Sequence, residues 1–214
     1  IVDCGIHPNE DITKSEIVDI YRGLHRVFDG IFLTHTHVDH ARAALWVAEH
    51  FGTPVYTTAS GKRFLANWAR MDCINLDAIK FVIIKEGDKI QLGNATIEVI
   101  QWEHSTPGAL GFDIKIGEKH LAHLGDGKLT GLFAQSYERN IATMERIAKC
   151  PLLLLTMDTL GIQKQGIAPP EFPVIENIAK IVLAGPGKRH FIFMFSSNID
   201  RIQGVVAEIL DYIN

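Results

Sequence analysis

The chain has 214 residues, 47% of them hydrophobic and 21% charged, which is the make-up of an ordinary globular protein with room for one large domain or one domain and part of a second. A core of that size folds without disulfides or a structural metal, so any metal is expected to serve chemistry rather than architecture. The formal net charge of −4 excludes the general basic excess of a sequence-independent nucleic-acid binder and leaves polyanion contacts to a local patch.

Cys4, Cys73 and Cys150 are an odd set without CxxC spacing, which argues against a disulfide framework and against a thiolate zinc site. The expected setting is reducing and cytoplasmic. No run approaches roughly 18 uninterrupted apolar residues and nothing at the start resembles a signal peptide, so no membrane partner is expected.

Ile1-Val2-Asp3-Cys4-Gly5 reads as the end of a buried strand with no strand before it, so N-terminal residues are expected to be missing. From Ile12 to Phe28, apolar residues Ile17, Ile20, Tyr21, Leu24 and Val27 recur at helical spacing, with Thr13 or Ser15 as the cap. Ile31 to Thr34 reads as a short buried strand. Asp39 to about Phe51 is expected as one helix, closed by Gly52 and Pro54. A strand at Val55 to Thr57 and a helix from Ala59 to about Met71 follow.

From Lys80 to Leu124 the pattern shortens. Strands are expected at Phe81 to Ile84, Lys89 to Leu92, Thr96 to Trp102, Gly111 to Ile116 and Lys119 to His123, separated by turns such as Gly93-Asn94 and Gly117-Glu118, as an antiparallel meander with one buried face. A helix from about Tyr137 to Lys149 leads into Pro151 to Thr156, expected as a fully buried strand. After a Pro- and Gly-containing loop from Gly161 to Pro173 come a helix from Val174 to about Ala184, a strand from Phe191 to Phe195, and a helix from near Asn198 to the end. The order implies a layered α/β architecture with helices outside packed sheets, then the opening of a parallel βαβ unit that stops short of a third strand.

The chemistry concentrates in His35-Thr36-His37-Val38-Asp39-His40. Residues two apart at a strand end point the same way, so His35 and His37 are able to grip one metal. The turn into a helix brings Asp39 and His40 to a second position. Imidazole and carboxylate suit Zn²⁺, with Mn²⁺ as the carboxylate-tolerant alternative. A solvated polar loop would explain one histidine; three with an aspartate at a strand-to-helix junction would be costly to bury without a cation. His104, after the strand ending at Trp102, and Asp126, between Gly125 and Gly127 after another strand, supply the further ligands a dinuclear site requires. A carboxylate bridges two metals and holds the activated water between them, the role assigned to Asp126.

Among the remaining residues, His7, His25, His50 and His120 are expected to be solvated, His190 structural or on the surface, and Trp46 and Trp68 packing residues. His123 lies near Asp126 in sequence, but its direction is not fixed by strand alternation. Ser196, Ser197 and Asn198 suit a helix cap and a phosphate site equally.

The motif order His35-x-His37-x-Asp39-His40, His104, Gly125-Asp126 resembles the metallo-β-lactamase superfamily. Asp3 is similar to that family's early strand-end aspartate, which orients the metal loop rather than binding metal. Gly30 to His35, His104-Ser105-x-Pro107, Gly125-Asp126-x-Lys128 and Phe195 to Gln203 resemble ribonuclease J and its relatives with an inserted β-CASP domain. Leu155-Thr156-Met157-Asp158-Thr159 looks like the acidic motif that opens this insertion. The sequence departs from that pattern at Ala41-Arg42-Ala43-Ala44, where a glycine pair is usual, at Asp158-Thr159-Leu160-Gly161, and at Asp200, where the relatives have a histidine.

The resemblance implies an αββα sandwich over residues 1–155, lacking its first strands and its C-terminal part, and the start of an α/β β-CASP domain over residues 156–214. It implies a two-zinc RNA phosphodiesterase. His35, His37 and His104 would hold one Zn²⁺, and Asp39, His40 and the bridging Asp126 the other, with a last metal histidine and a general-acid histidine outside this chain. Asp39, Asp126 and Asp158 are the catalytic candidates, Asp158 by orienting the general acid. Ser196, Ser197, Asn198 and Arg201 are the substrate-binding candidates, and self-association into a homo-oligomer is left open. Three alternatives stand beside this reading: a hydrolase of the same fold acting on a small ester, thioester or lactam, a non-catalytic subunit or scaffold, and a folded binding module that uses zinc only for structure, which the open, cysteine-free ligand set disfavours.

Overall fold

The structure is a computed structural model that describes residues 1–130, 134–166 and 168–213. Residue 167, inside the expected loop, and residue 214, at the end of the expected last helix, lie outside the described residues.

Helix α1 (Lys14–Gly23) starts at Thr13, whose side chain accepts from the Glu16 amide while Glu16 reaches back to the Thr13 amide. This reciprocal pair satisfies two of the free donors of the first turn. The helix stops five residues before Phe28. His25 takes a left-handed φ of 49°, and Val27 is 93% exposed, so the helical spacing of apolar residues continues past the point where burial supports it.

Strand β1 (Ile31–Phe32) leads into α2 (Val38–Ala41) and α3 (Ala44–Phe51), two helices where one was expected. Strand β2 (Val55–Thr57) and α4 (Ala59–Met71) match the expected spans. Strand β3 (Phe81–Ile83) departs from expectation in its partner. It pairs in parallel with β2 in a three-stranded sheet ordered β1-β2-β3, not with the meander. The connection through α4 and a 3-10 turn at Leu76–Ala78 returns the chain in the same direction, which parallel pairing requires.

The second sheet is ordered β4-β5-β6-β7-β8, from β4 (Lys89–Leu92), β5 (Ala95–Gln101), β6 (Leu110–Ile116), β7 (Lys119–His123) and β8 (Leu152–Thr156). The first four strands are antiparallel, and β8 joins β7 in parallel after helix α5 (Ala134–Ala148). Strand β8 was expected to be fully buried. Instead it is the edge of the sheet, and Leu153 is 61% exposed with Leu154 and Leu155 also open. An unbroken apolar run does not by itself distinguish a central strand from an edge.

Period-two alternation distributes these strands over three cores. Phe32, Tyr56, Ile97, Val99 and Phe112 fill the space between the sheets. Phe32 stacks on Tyr56 with centroids 4.1 Å apart and meets Phe112 edge-on at 5.6 Å, contacts that add about 0.5–1.5 kcal/mol each beyond area burial. The opposite faces carry Ile31, Leu33 and Val55 into a core with α1, α3 and α4, and Ile100, Trp102, Ala122 and Leu124 into one with α5. The layers are helix, sheet, sheet, helix: the αββα sandwich.

Beyond β8, α6 (Glu171–Leu183) and α7 (Ile199–Ile213) pack as a pair, close enough that a Cβ on Gly204 would lie 2.5 Å from Ile175 Cδ1. The strand expected at Phe191 to Phe195 is not formed. Phe193 is 94% exposed and Phe191 and Phe195 are open as well, so this aromatic run is paired with neither described sheet. Among the described residues no helix is long and apolar enough to cross a membrane.

One glycine ties the fold to the candidate site. A Cβ on Gly5 would lie 1.9 Å from the Asp39 carbonyl carbon, so the N-terminal segment lies against α2 only because the side chain is absent. Gly5→Ala is expected to destabilise the protein by about 1–3 kcal/mol in urea unfolding and to weaken metal uptake in the same variant; an unchanged unfolding midpoint would contradict this packing.

Candidate metal centre

Strand direction brings the ligands to one edge. Because β5 and β7 both run antiparallel to β6, and β8 runs parallel to β7, the C-terminal ends of β5, β7 and β8 share one end of the sheet. His104 follows β5, Asp126 follows β7 and Asp158 follows β8. The first sheet meets this edge where the Thr34 carbonyl accepts from the Leu110 amide at 2.8 Å, so His35 enters the same region.

The N-terminal segment completes the frame. Val2 bridges Phe32 in parallel, and the amides of Cys4 and Ile6 donate to the carbonyls of His40 and Val38 at 2.7 and 3.1 Å. Asp3 sits between them with a left-handed φ of 53°, a conformation aspartate tolerates better than most residues. Its carboxylate accepts from the Thr34 amide at 2.8 Å and from Thr34 Oγ1 at 2.8 Å. His40 Nδ1 lies 2.7 Å from Asp3 Oδ2 and His123 Nε2 3.3 Å from it. His123 is therefore oriented toward the site, held also by Thr156 Oγ1 2.7 Å from its Nδ1. Its direction follows from its pairing with Phe112, which faces the space between the sheets.

Two groups of ligand atoms result. His35, His37, His104 and Asp126 offer one atom each within 4.8 Å of one another, and so do Asp39, His40 and Asp126. Asp126 belongs to both. His35 Nε2 and His104 Nε2 lie 3.0 and 3.1 Å from His37 Nδ1. On the other side, His40 Nε2 lies 3.3 Å from Asp126 Oδ1 and 3.7 Å from Asp39 Oδ2. Gly125, before the shared carboxylate, has φ 60°, and a Cβ there would lie 2.7 Å from Thr34 Oγ1. Gly127 is excluded from bearing a side chain by Trp102, whose Nε1 would lie 2.1 Å from its Cβ.

The protonation states suit cations. Burial pushes the His35 imidazole down to about 2 and, with the neighbouring His37, the His104 imidazole down to about 4, so both are neutral with free lone pairs. Burial would also lower His40, but hydrogen bonds to Asp126 and Asp3 outweigh it and push that imidazole up to about 10. Burial raises the Asp3 carboxyl, yet bonds from His123, His40 and the Thr34 amide hold it well below the usual carboxylate range. The hydrogen bond from His40 holds the Asp126 carboxyl below that range too. Three imidazole nitrogens facing one another at hydrogen-bond distance cannot all be satisfied by the single ring proton that each neutral ring carries. A shared positive centre satisfies them, and the donor set of imidazole and carboxylate fits a divalent cation of the zinc or manganese kind.

The other sequence-predicted residues fall around this centre. The Asp158 amide donates to the Gly125 carbonyl at 3.0 Å, and its Oδ1 accepts from the Leu160 amide at 2.6 Å. Asp158 and His104 line a cavity of about 690 Å³ together with Trp102, Lys128, Tyr137 and Asn198. Asn198 is buried and its Oδ1 accepts from the Arg201 amide at 3.2 Å, a helix cap for α7; Ser196 is exposed and Ser197 half-buried. The Arg201 guanidinium is taken up by Glu171 through two contacts of 2.7 and 2.9 Å, and Glu171 also binds Lys128 Nζ at 2.6 Å. Sequence reasoning missed Glu171, whose only signal was a carboxylate after two prolines at a helix start. His190 contacts the Gly185 carbonyl, a structural contact.

Residues 8–167 match the family model described as the beta-lactamase superfamily domain. The chain is similar to Ribonuclease J of Sinorhizobium meliloti, 27% identical over 211 residues that cover 96% of this chain and 37% of that protein. Ribonuclease J2 of Bacillus subtilis is 27% identical over 217 residues, covering 96% and 38%. The chain thus spans little more than a third of the length of these curated relatives. Among solved structures, a protein of unknown function from Enterococcus faecalis V583 superposes with a TM-score of 0.72 at 18% identity over 98% of this chain and 61% of that one. A metallo-beta-lactamase from Cronobacter sakazakii superposes at 0.52 with 16% identity over 99% and 81%. Both are likenesses of fold.

The electrostatics set a pH profile for the metal-free protein. His40, raised above the ordinary imidazole value of 6.5, lends stability that is complete below that pH and is lost as pH climbs through about 10. His35 and His104, lowered to about 2 and about 4, lend stability that is complete above 6.5 and is lost as pH falls toward those values. The urea midpoint of the metal-free protein is therefore expected to peak near neutrality and fall on both sides; a steady rise from about pH 5 to about pH 9 would contradict these assignments.

Proposed function

Because the chain belongs to the metallo-β-lactamase superfamily, we propose that it is a metal-dependent hydrolase, and specifically an RNA phosphodiesterase of the ribonuclease J kind. The observation that carries this reading is the shared position of Asp126 between two ligand groups, next in sequence to Gly127 and Lys128, which line a cavity with His104 and Asp158. The names of the curated relatives supply the substrate class. In this reading residues 1–155 form the metallo-β-lactamase domain and residues 156–214 open a β-CASP-type insertion.

His35, His37 and His104 would hold one cation and Asp39 and His40 the other, with Asp126 facing both. Two Zn²⁺ fit the donor set, with Mn²⁺ as the alternative. When bound, such a pair lowers the pKa of a water and neutralises charge that builds on the phosphoryl oxygens. The chain's own residues do the rest. Asp3 fixes the His40 ring through Nδ1 and leaves Nε2 turned toward Asp126, the carboxylate–histidine arrangement that orients a ligand. Burial keeps His35 and His104 in the neutral, ligating form. Trp102, buried at the end of β5, supplies an apolar wall of the cavity. Asp158, on the same wall, is placed to orient a proton donor for the leaving oxygen.

One observation favours a second reading. Of the two cationic residues that line the cavity, Lys128 and Lys164, Lys128 is paired with Glu171, which also holds Arg201, and a small ester or thioester needs no phosphate clamp. The experiment compares labelled single-stranded RNA with a panel of small esters and thioesters, with Zn²⁺ or Mn²⁺ and with a chelator. RNA cleavage that requires metal is expected, and His37→Ala is expected to lower it by about two orders of magnitude or more, beyond the effect of losing an outer-sphere partner. Undiminished cleavage in His37→Ala refutes the site, and turnover of esters without RNA cleavage selects the second reading.

A further inference from the structure

We infer that Asp113, His120 and Cys150 form a separate binding site for a single thiophilic divalent cation of the zinc class, on the far face of the second sheet. The three residues offer one ligand atom each within 4.8 Å of one another, and none belongs to the centre described above.

Three elements bring them together. Phe112 of β6 fills the inter-sheet core, so Asp113 points to the opposite face, where it is 5% exposed. His120, at the start of β7, pairs with Lys115, which alternation places on that same face. Its Nδ1 lies 3.0 and 3.2 Å from the two Asp113 oxygens. This ring was expected to be solvated; its side chain is only 13% exposed, because α5 and the turn after it cover the strand start. Cys150 sits in that turn, fixed by its amide on the Ile147 carbonyl at 3.0 Å and its carbonyl on the Leu152 amide at 2.7 Å. The His120 amide donates to the Pro151 carbonyl at 3.3 Å, so the backbone holds the thiol against the imidazole.

A hydrogen-bonded aspartate–histidine pair accounts for two of the three residues and gives no reason for a thiol beside them. Cys150 Sγ donates to the Arg146 carbonyl at 3.6 Å, a bond that leaves its lone pairs free to ligate a cation. Sulfur, imidazole nitrogen and carboxylate oxygen at one point are a donor set that selects zinc over magnesium or calcium. A cysteine–histidine–aspartate nucleophile would use the same residues, but in such a triad the imidazole stands between thiol and carboxylate, whereas here all three ligand atoms lie within 4.8 Å of one another. Glu98 pairs with Asp113 across β5 and β6, with its carboxylate near Lys89 Nζ and Arg146 Nη1 at 3.4 and 3.3 Å. It or a water would complete four-coordination. The absence of CxxC spacing does not argue against such a site, because the ligands lie on β6, on β7 and after α5 and converge only in the fold. A cation here clamps the α5–β8 turn to the sheet.

The test uses a property the first centre lacks, since that centre has no sulfur ligand. The full chain is reduced, stripped of metal and titrated with Co²⁺. A near-ultraviolet thiolate-to-cobalt charge-transfer band of one thiolate is expected, lost in Cys150→Ser and in His120→Ala and retained in Cys73→Ser. Cys150→Ser changes one atom, and circular dichroism of the metal-free variant checks that it folds. In parallel, Zn²⁺ is expected to protect Cys150 from alkylation, read by peptide mass spectrometry, and a chelator to restore the reaction. Absence of the band at saturating Co²⁺, or its survival in folded Cys150→Ser, overturns the proposal. Neither readout depends on hydrolytic activity.

Discussion

One largely enclosed carboxylate, Asp3, organises the site. Its side chain is 12% exposed, and an uncompensated charge at that depth would cost several kcal/mol. Four groups compensate it: the amide and hydroxyl of Thr34, the His40 ring and the His123 ring. These come from the end of β1, from α2 and from β7, so the cost of burying one anion is met only when three elements arrive in register. The left-handed backbone of Asp3 is tolerated for the same reason: the surrounding bonds over-determine it.

The sheets explain why ligands gather at this edge and not elsewhere. Parallel pairing in the first sheet and the alternating directions of β5, β6 and β7 in the second send several strand ends the same way. The aromatic contacts of Phe32 with Tyr56 and Phe112 fix the spacing between the sheets, and with it the reach from His35 to His104 and Asp126. A shift of one residue in β7 would turn His123 away from Asp3 and Asp126 away from the cluster.

Much of this was legible in the chain because the signals were local. The segment from His35 to His40 announces itself by residue type and spacing, and α4 by an unbroken amphipathic period bounded by Thr58 and Asp72. What failed depended on partners distant in sequence. Phe81 to Ile83 has the composition of a meander strand, but its pairing with β2 is decided by the α4 crossover. The run of leucines in β8 looks buried from within, although the sheet ends there. His123 was ambiguous because alternation needs an anchor, and the anchor is Phe112 across the ladder. Helix α1 ends early because periodicity records which face is apolar and not where the covering layer stops.

The electrostatic arrangement around Asp126 separates the cation site from any anion site. In the protein without metal, the proton on His40 lies between Asp3 and Asp126, so a positive charge already stands where the donor set favours a cation, and metal uptake exchanges one positive charge for another rather than creating a charged pocket anew. Two residues beyond Asp126, Lys128 turns the other way, onto Glu171, which also holds Arg201 of α7. A buried carboxylate shared by two cations is satisfied only while both stay. The same three side chains therefore fasten the α6–α7 pair to the β7 end of the sandwich, with Lys128 and Glu171 on the lining of the cavity. An anion entering the cavity meets Lys164 on its lining, and one that drew away Lys128 or Arg201 would leave the buried Glu171 carboxylate with one cationic partner in place of two.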